Sequence, residues 1–168
     1  MRRLVLCALV LSAGTLGGCG GDDPGPAPGA VAEARVARVV DGDTVLVRVG
    51  GAERRVRLLG VDAPESVTPD RPVECYGPQA GAAARALMPR GVRVGLATDP
   101  SQGDEDRFGR LLAEVTVAGE AVTVNERLVR QGAAEVFHGD GRGRLQPVLR
   151  AAEREARSAR RGLWGACR

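Results

Sequence analysis

Residues 34–59 read ARVARVVDGDTVLVRVGGAERRVRLL: short apolar runs cut by Asp41-Gly42 and Gly50-Gly51. That punctuation leaves room only for short strands joined by tight turns. Asp-Gly and Gly-Gly are strong hairpin signals because these residues tolerate positive φ. The pattern predicts strands at Ala34 to Val40, Thr44 to Val49 and Arg54 to Leu59, joined as an antiparallel meander. Val45, Val47 and Val49 share one face of the second strand, since strand side chains alternate.

The rest of the chain supplies what closes such a meander. A helix is predicted between Pro78, favoured in a first turn, and the breaker Pro89-Arg90-Gly91. Val92 to Ala97 and Arg110 to Val117 read as the fourth and fifth strands, around the polar loop TDPSQGDEDRFG (98–109). Val122 to Arg130 forms a short amphipathic helix ending at Gly132, and Arg144 to Arg160 a final one ending at Gly162. The arginines of that last helix, with Glu153 and Arg157 spaced i, i+4, predict a solvated, salt-bridged face. Five strands with a helix after the third predict an α+β chain: a five-stranded Greek-key barrel of the OB type plus three helices.

The folded domain does not begin at residue 1. Met1-Arg2-Arg3 precedes a largely apolar run, Leu4 to Leu16, shorter than the roughly 20 residues a membrane-spanning helix needs. It fits the h-region of a secretory signal. The run ends in Leu16-Gly17-Gly18-Cys19, which resembles a bacterial lipobox with Cys19 as the lipidated first mature residue. The alternative is an ordinary cleaved signal with a chance cysteine. Gly- and Pro-rich GGDDPGPAPGA (20–30) reads as a tether, so residues 1–18 are expected as leader, 19–32 as anchor and tether, and 33–168 as domain. An exported, envelope-anchored monomer follows, held to the membrane through Cys19.

Processing changes the charge and cysteine inventories. All 24 basic residues are arginine; losing Arg2 and Arg3 leaves 22 against 21 acids, a net charge of +1. Overall basicity is thus weak evidence for a nucleic-acid partner. Cys7 leaves with the signal, and Cys75 and Cys167 remain, which in an exported domain suggests one disulfide; two free thiols are the alternative.

A group of charged residues stands beside the predicted core. Asp41 is explained by its turn alone. Asp43 has the parity of Val45, Val47 and Val49, so it points toward the apolar face. Unpaired there, a carboxylate would cost several kcal/mol, so a metal or an arginine must meet it. Asp62 and Glu65 follow the third strand, and carboxylates with backbone carbonyls and water form the oxygen site that calcium prefers. His138 is the only histidine, which excludes a His-rich zinc or iron site and leaves a serine triad without support. Arg57 and Arg110 offer planar, permanently charged forks that grip phosphate through paired hydrogen bonds. Taken alone, the group leaves phosphodiester chemistry and a structural ion-pair cluster both open.

The stretches VVDGDTVLV, RVRLLGVDAPE, ECYGPQA, DRFGRLLAEV, VNERLVRQGAAEV and RRGLWG, in this order, resemble the staphylococcal nuclease family over residues 34 to 165. The resemblance implies an OB barrel with three helices and Ca²⁺-dependent hydrolysis of DNA and RNA to 3′-phosphate products. It implies Asp43 and Asp62 as calcium carboxylates, Ala63 as a backbone-carbonyl ligand and Glu65 as general base. It implies Arg57 and Arg110 as the phosphate-binding arginines.

There are departures. Phe137-His138-Gly139-Asp140 stands where the family usually carries tyrosines, and Arg107-Phe108 replaces a lysine-tyrosine pair. Phe108 and His138 can still stack on bases, and Arg107 can meet the strand, whereas Asp140 and the loop acids Asp104, Glu105 and Asp106 would repel phosphate. The competing expectation is a non-catalytic OB module that binds nucleic acid or calcium, which would need neither Glu65 nor both arginines.

Overall fold

The computed structural model describes residues 31–66, 72–137, 139 and 142–167. The predicted leader, Cys19, residues 20–30 of the tether, His138 and Asp140 lie outside the described residues, whereas Val31 and Ala32, placed in the tether by the 19–32 boundary, open the first strand. The three meander strands are β1 (Val31–Val39), β2 (Thr44–Val49) and β3 (Ala52–Leu58). After α1 (Gly77–Leu87) come β5 (Arg93–Ala97) and β6 (Leu111–Val117), the two strands flanking the polar loop. They close a barrel in the order β1-β2-β3-β6-β5, β1 pairing with both β2 and β5. Every pairing is antiparallel except β3 with β6, where Val56 lies beside Leu111 and Leu58 beside Ala113. This is the expected five-stranded OB topology.

The period-two pattern does what it predicts. Val36, Val45, Val47, Val56, Leu96 and Val115 all point inward and are almost fully buried. One end of the barrel is sealed by α2 (Val124–Arg130), whose Thr123 cap accepts the Glu126 amide at 3.1 Å. Buried Asn125 on α2 ties the barrel together: its Oδ1 accepts the Val115 amide, and its Nδ2 donates to the Leu59 carbonyl, both at 2.9 Å. The helix α3 (Gln146–Ser158) packs on α2 through Leu149, Ala152 and Ala156.

The structure departs from the sequence pattern in several places. Two short strands, β4 (Val61–Asp62) and β7 (Glu135–Val136), pair with each other outside the barrel. Two residues are too few to carry a period. A fourth helix, α4 (Leu163–Ala166), is a single turn closing the C-terminus. Glu153 is not on a solvated face: it is buried, accepting the Val136 amide at 3.0 Å besides meeting Arg157 at 3.5 Å. The Asp41-Gly42 turn is also not built on positive φ, since neither residue has one. Gly42 is required by crowding instead, because a Cβ there would stand 2.4 Å from the Ala63 Cβ. Cys75 and Cys167 form a disulfide between the residue two before α1 and the C-terminal segment.

Candidate functional site

The site begins with Asp43, 8% exposed at the entry to β2, on the inward parity its sequence position predicts. β3 supplies what meets it. Arg57 lies opposite Thr44 across the β2–β3 ladder, and its Nη2 stands 3.3 Å from Asp43 Oδ2 and 2.9 Å from Asp62 Oδ1. Its Nη1 donates to the Leu58 and Val61 carbonyls at 3.1 and 2.5 Å. Backbone and carboxylates together therefore fix the guanidinium. The turn after β3 and the short β4 strand carry Asp62 and Ala63 back over the β2 entry. There the Ala63 amide donates to Asp43 Oδ2 at 2.9 Å.

Thr44 links this group to Arg110. Its hydroxyl donates to Asp43 Oδ1 at 3.0 Å, and Arg110 Nη1 approaches the hydroxyl oxygen at 3.5 Å. Arg110 is held from behind by Asp106, whose Oδ2 accepts Nε at 2.7 Å and whose Oδ1 accepts the Arg110 and Phe108 amides. Burial opposes ionisation of Asp106, but these donors and the guanidinium outweigh it and lower its pKa. Glu105 pairs with Arg54. Two of the three loop acids expected to repel phosphate are thus matched to arginines. Phe108 is 68% exposed, with the Arg107 and Arg110 guanidiniums 4.7 and 5.5 Å from its ring centre. Phe137, also exposed, is drawn to the Asp62 side by the β4–β7 pairing and by its amide bond to the Gly60 carbonyl.

Glu65 lies in the loop beyond Ala63. Its side chain accepts the Ser66 amide at 2.8 Å, its own amide donates to Glu74 Oε2 at 2.9 Å, and its carbonyl accepts the Glu74 amide at 2.9 Å. The structure therefore gathers Asp43, Arg57, Asp62 and Ala63 in direct contact and joins Arg110 to them through Thr44. Glu65 is clamped by the segment leading into α1.

Three contributors escape the sequence reading: Thr44, Asp106 and Glu74. Asp41 serves its turn as expected, its Oδ1 accepting the Asp43 amide at 3.0 Å in an Asx turn, and this also fixes the backbone of Asp43. Burial first, and then the neighbouring Asp43 charge, raise its pKa. The available signal was the DGDT string itself, two carboxylates and a hydroxyl within four residues.

A hard cation suits this chemistry. Asp41, Asp43 and Asp62 offer only oxygen, and one guanidinium, Arg57, meets two of them. Among the described residues no three His, Cys, Asp or Glu side chains gather as a ready-made cage. Backbone carbonyls and water would have to complete the shell, as calcium sites commonly allow.

Residues 55–166 match the family described as "Staphylococcal nuclease homologue". The thermonuclease of Staphylococcus hyicus is 33% identical over 131 residues, covering 77% of this chain and 74% of its own length. An uncharacterized endonuclease of Escherichia coli is 35% identical over 130 residues, 77% of this chain and 75% of its own. Endonuclease YncB of Bacillus subtilis is 35% identical over 129 residues, 76% of this chain and 59% of its own. With an OB barrel, three principal helices and matches of this extent, the chain belongs to the staphylococcal nuclease family.

Proposed function

We propose that the protein is a calcium-dependent nuclease, hydrolysing phosphodiester bonds of DNA and RNA to 3′-phosphate ends at the cell envelope. One observation carries the reading: Arg57 is fixed between Asp43 and Asp62 while Arg110 joins the same group through Thr44. A structural ion pair would need only one arginine.

Asp43, Asp62 and the Ala63 carbonyl would hold calcium, which when bound would withdraw charge from a phosphoryl oxygen. Arg57 and Arg110 present preset donors to the phosphate, and their hydrogen bonds strengthen as its charge builds. Glu65 takes a proton from the attacking water. The water oxygen bonds to phosphorus, the bond to the 5′ oxygen breaks, and that oxygen leaves with a proton from solvent. Phe108 offers a face on which a base stacks beside Arg110.

A general base contributes about 10²–10⁴-fold, so Glu65→Gln should cut turnover by that order while nucleic-acid binding survives. Asp43→Ala should raise the calcium concentration needed for activity. Equal rates for wild type and Glu65→Gln, or no calcium-dependent cleavage by wild type, would favour the non-catalytic binding module.

Lipid attachment at Cys19 accounts for the envelope location, with the Gly/Pro stretch as spacer. Metabolic labelling with a fatty-acid analogue should mark the wild type and not Cys19→Ala. An unlabelled wild type would leave simple secretion.

A further inference from the structure

The arginines of this chain are not distributed alike. Around α2 and α3 several meet carboxylates: Arg130 bonds Glu126 and Glu155, Arg157 meets Glu153, and Arg161, just past α3, bonds Glu155. The outer barrel face differs. Arg35 lies directly opposite both Arg48 and Arg93 in the β1–β2 and β1–β5 ladders, a like-charge arrangement that costs stability. The adjacent row runs Arg38, Leu46, Arg55 across β1, β2 and β3. Arg38 and Arg55 are exposed and, among the described residues, meet no carboxylate; Glu53, on Arg48, is the one acid paired on this face.

Beside this row lies an open groove of about 380 Å³ between β1–β2 and the C-terminal end of α1. Arg38, Arg48, Arg85 and Arg90 line it, against Glu53 alone. The row, which shares Arg38 and Leu46 with the groove, leads on to the candidate site through Arg55. Arg55 precedes Arg57 by two residues on the same face of β3, about 6.6 Å along the strand.

From this we propose a second subsite: the Arg38–Arg55 row and the adjoining groove bind the phosphate backbone of a substrate strand beyond the bond being cut. It rests on the nuclease reading for its substrate. The occupant is a nucleic acid because the charge is a line of planar guanidiniums continuous with the phosphate-binding Arg57. Such a line suits a run of phosphodiesters. A bound polyanion would also relieve the repulsion among Arg35, Arg48 and Arg93 in the neighbouring rows, where only Arg48 meets a carboxylate.

The test uses the mature chain carrying Arg38→Ala/Arg55→Ala, with Arg38→Lys/Arg55→Lys as the charge-keeping control. Affinity for a long labelled single strand, read by fluorescence anisotropy in chelator, should fall about tenfold in the alanine variant. Its salt dependence should flatten by about 0.7 for each phosphate that is no longer neutralised, and the lysine variant should recover most of both. In calcium, KM for the long strand should rise while kcat and the cleavage of a dinucleotide stay unchanged. Unaltered affinity and salt slope would overturn the subsite, as would an equal fall on long and dinucleotide substrates. So would arginine-dependent binding to phosphatidylglycerol vesicles without binding to DNA. Failure of the wild type to cleave anything would refute the nuclease reading separately, leaving anisotropy to decide the subsite.

Discussion

The α-carbon of Gly77 rests against the carbonyl of Glu65, so closely that a Cβ there would stand 2.4 Å from that oxygen. Just before α1, Glu74 grips Glu65 by hydrogen bonds: its amide and carboxylate hold the Glu65 carbonyl and amide, and the Gly77 amide returns to the Glu74 carbonyl at 3.0 Å. Gly77 thus has no room for a side chain. Gly77→Ala should destabilise the fold by about 1–3 kcal/mol through overpacking. Assayed well below its melting temperature, it should also lose turnover, because the displaced atom is the backbone of the candidate general base. Glu74→Gln, which keeps an acceptor for the Glu65 amide, should retain most activity, and Glu74→Ala should not. Wild-type turnover in Gly77→Ala would show that this packing does not position Glu65.

Gly42 meets Ala63 in the same manner on the other side of the site. The obstruction is side chain here, not backbone: the Ala63 Cβ at 2.4 Å and the Ala80 Cβ at 3.1 Å. Gly42→Ala should cost about 1–3 kcal/mol, and Ala63→Gly in the same chain should return part of it by clearing the nearer obstruction. Urea unfolding of the two single variants and the double closes the cycle. Strict additivity would mean that the two residues do not crowd each other.

These glycines mark where the sequence is readable and where it stops. The barrel strands are legible because one face of each is buried, so Val45, Val47 and Val56 impose a period that survives in the sequence. Asp43 is legible for the same reason, as a carboxylate on the wrong parity. The Asp41-Gly42 turn is legible in place but not in cause, since close approach to Ala63 requires a partner distant in sequence. β4 and β7 are fixed only by pairing with each other. Thr44 and Asp106 act through contacts spanning the ladder and the loop, so their roles emerge only in three dimensions.

The bond between Cys75 and Cys167 spans 92 residues and ties the segment holding Glu65 to the C-terminus. Closing a loop of that size stabilises by about 4.6 kcal/mol in the chain-entropy account. Mass spectrometry of an unreduced digest should show the two peptides linked, and Cys75→Ser/Cys167→Ser should unfold at lower denaturant by about that much. Two freely alkylated thiols in the unreduced exported protein would refute the bond.

Asp106 and Asp99 predict an acid limb with two separable components. Burial raises the pKa of each, yet backbone amides and an arginine outweigh it, so both fold with lowered values: Asp99 through the Arg144 and Ser101 amides, Asp106 through Arg110 and Phe108. A carboxylate with a depressed folded pKa stabilises the protein fully above its unfolded value, about 3.9, and loses that contribution as pH falls through the folded value. Asp99→Asn and Asp106→Asn should therefore each be less stable than wild type at neutral pH, with the difference shrinking in strong acid. A difference independent of pH would show that charge is not the cause. Activity divides the two. Asp99 secures the approach to α3, whereas Asp106 alone holds Arg110 Nε at 2.7 Å with the guanidinium turned toward Thr44. Asp106→Asn should consequently lower kcat on nucleic acid at neutral pH, and Asp99→Asn, measured at a temperature where both are folded, should leave it near wild type. An equal fall in both would trace the effect to stability and remove Asp106 from the positioning of Arg110.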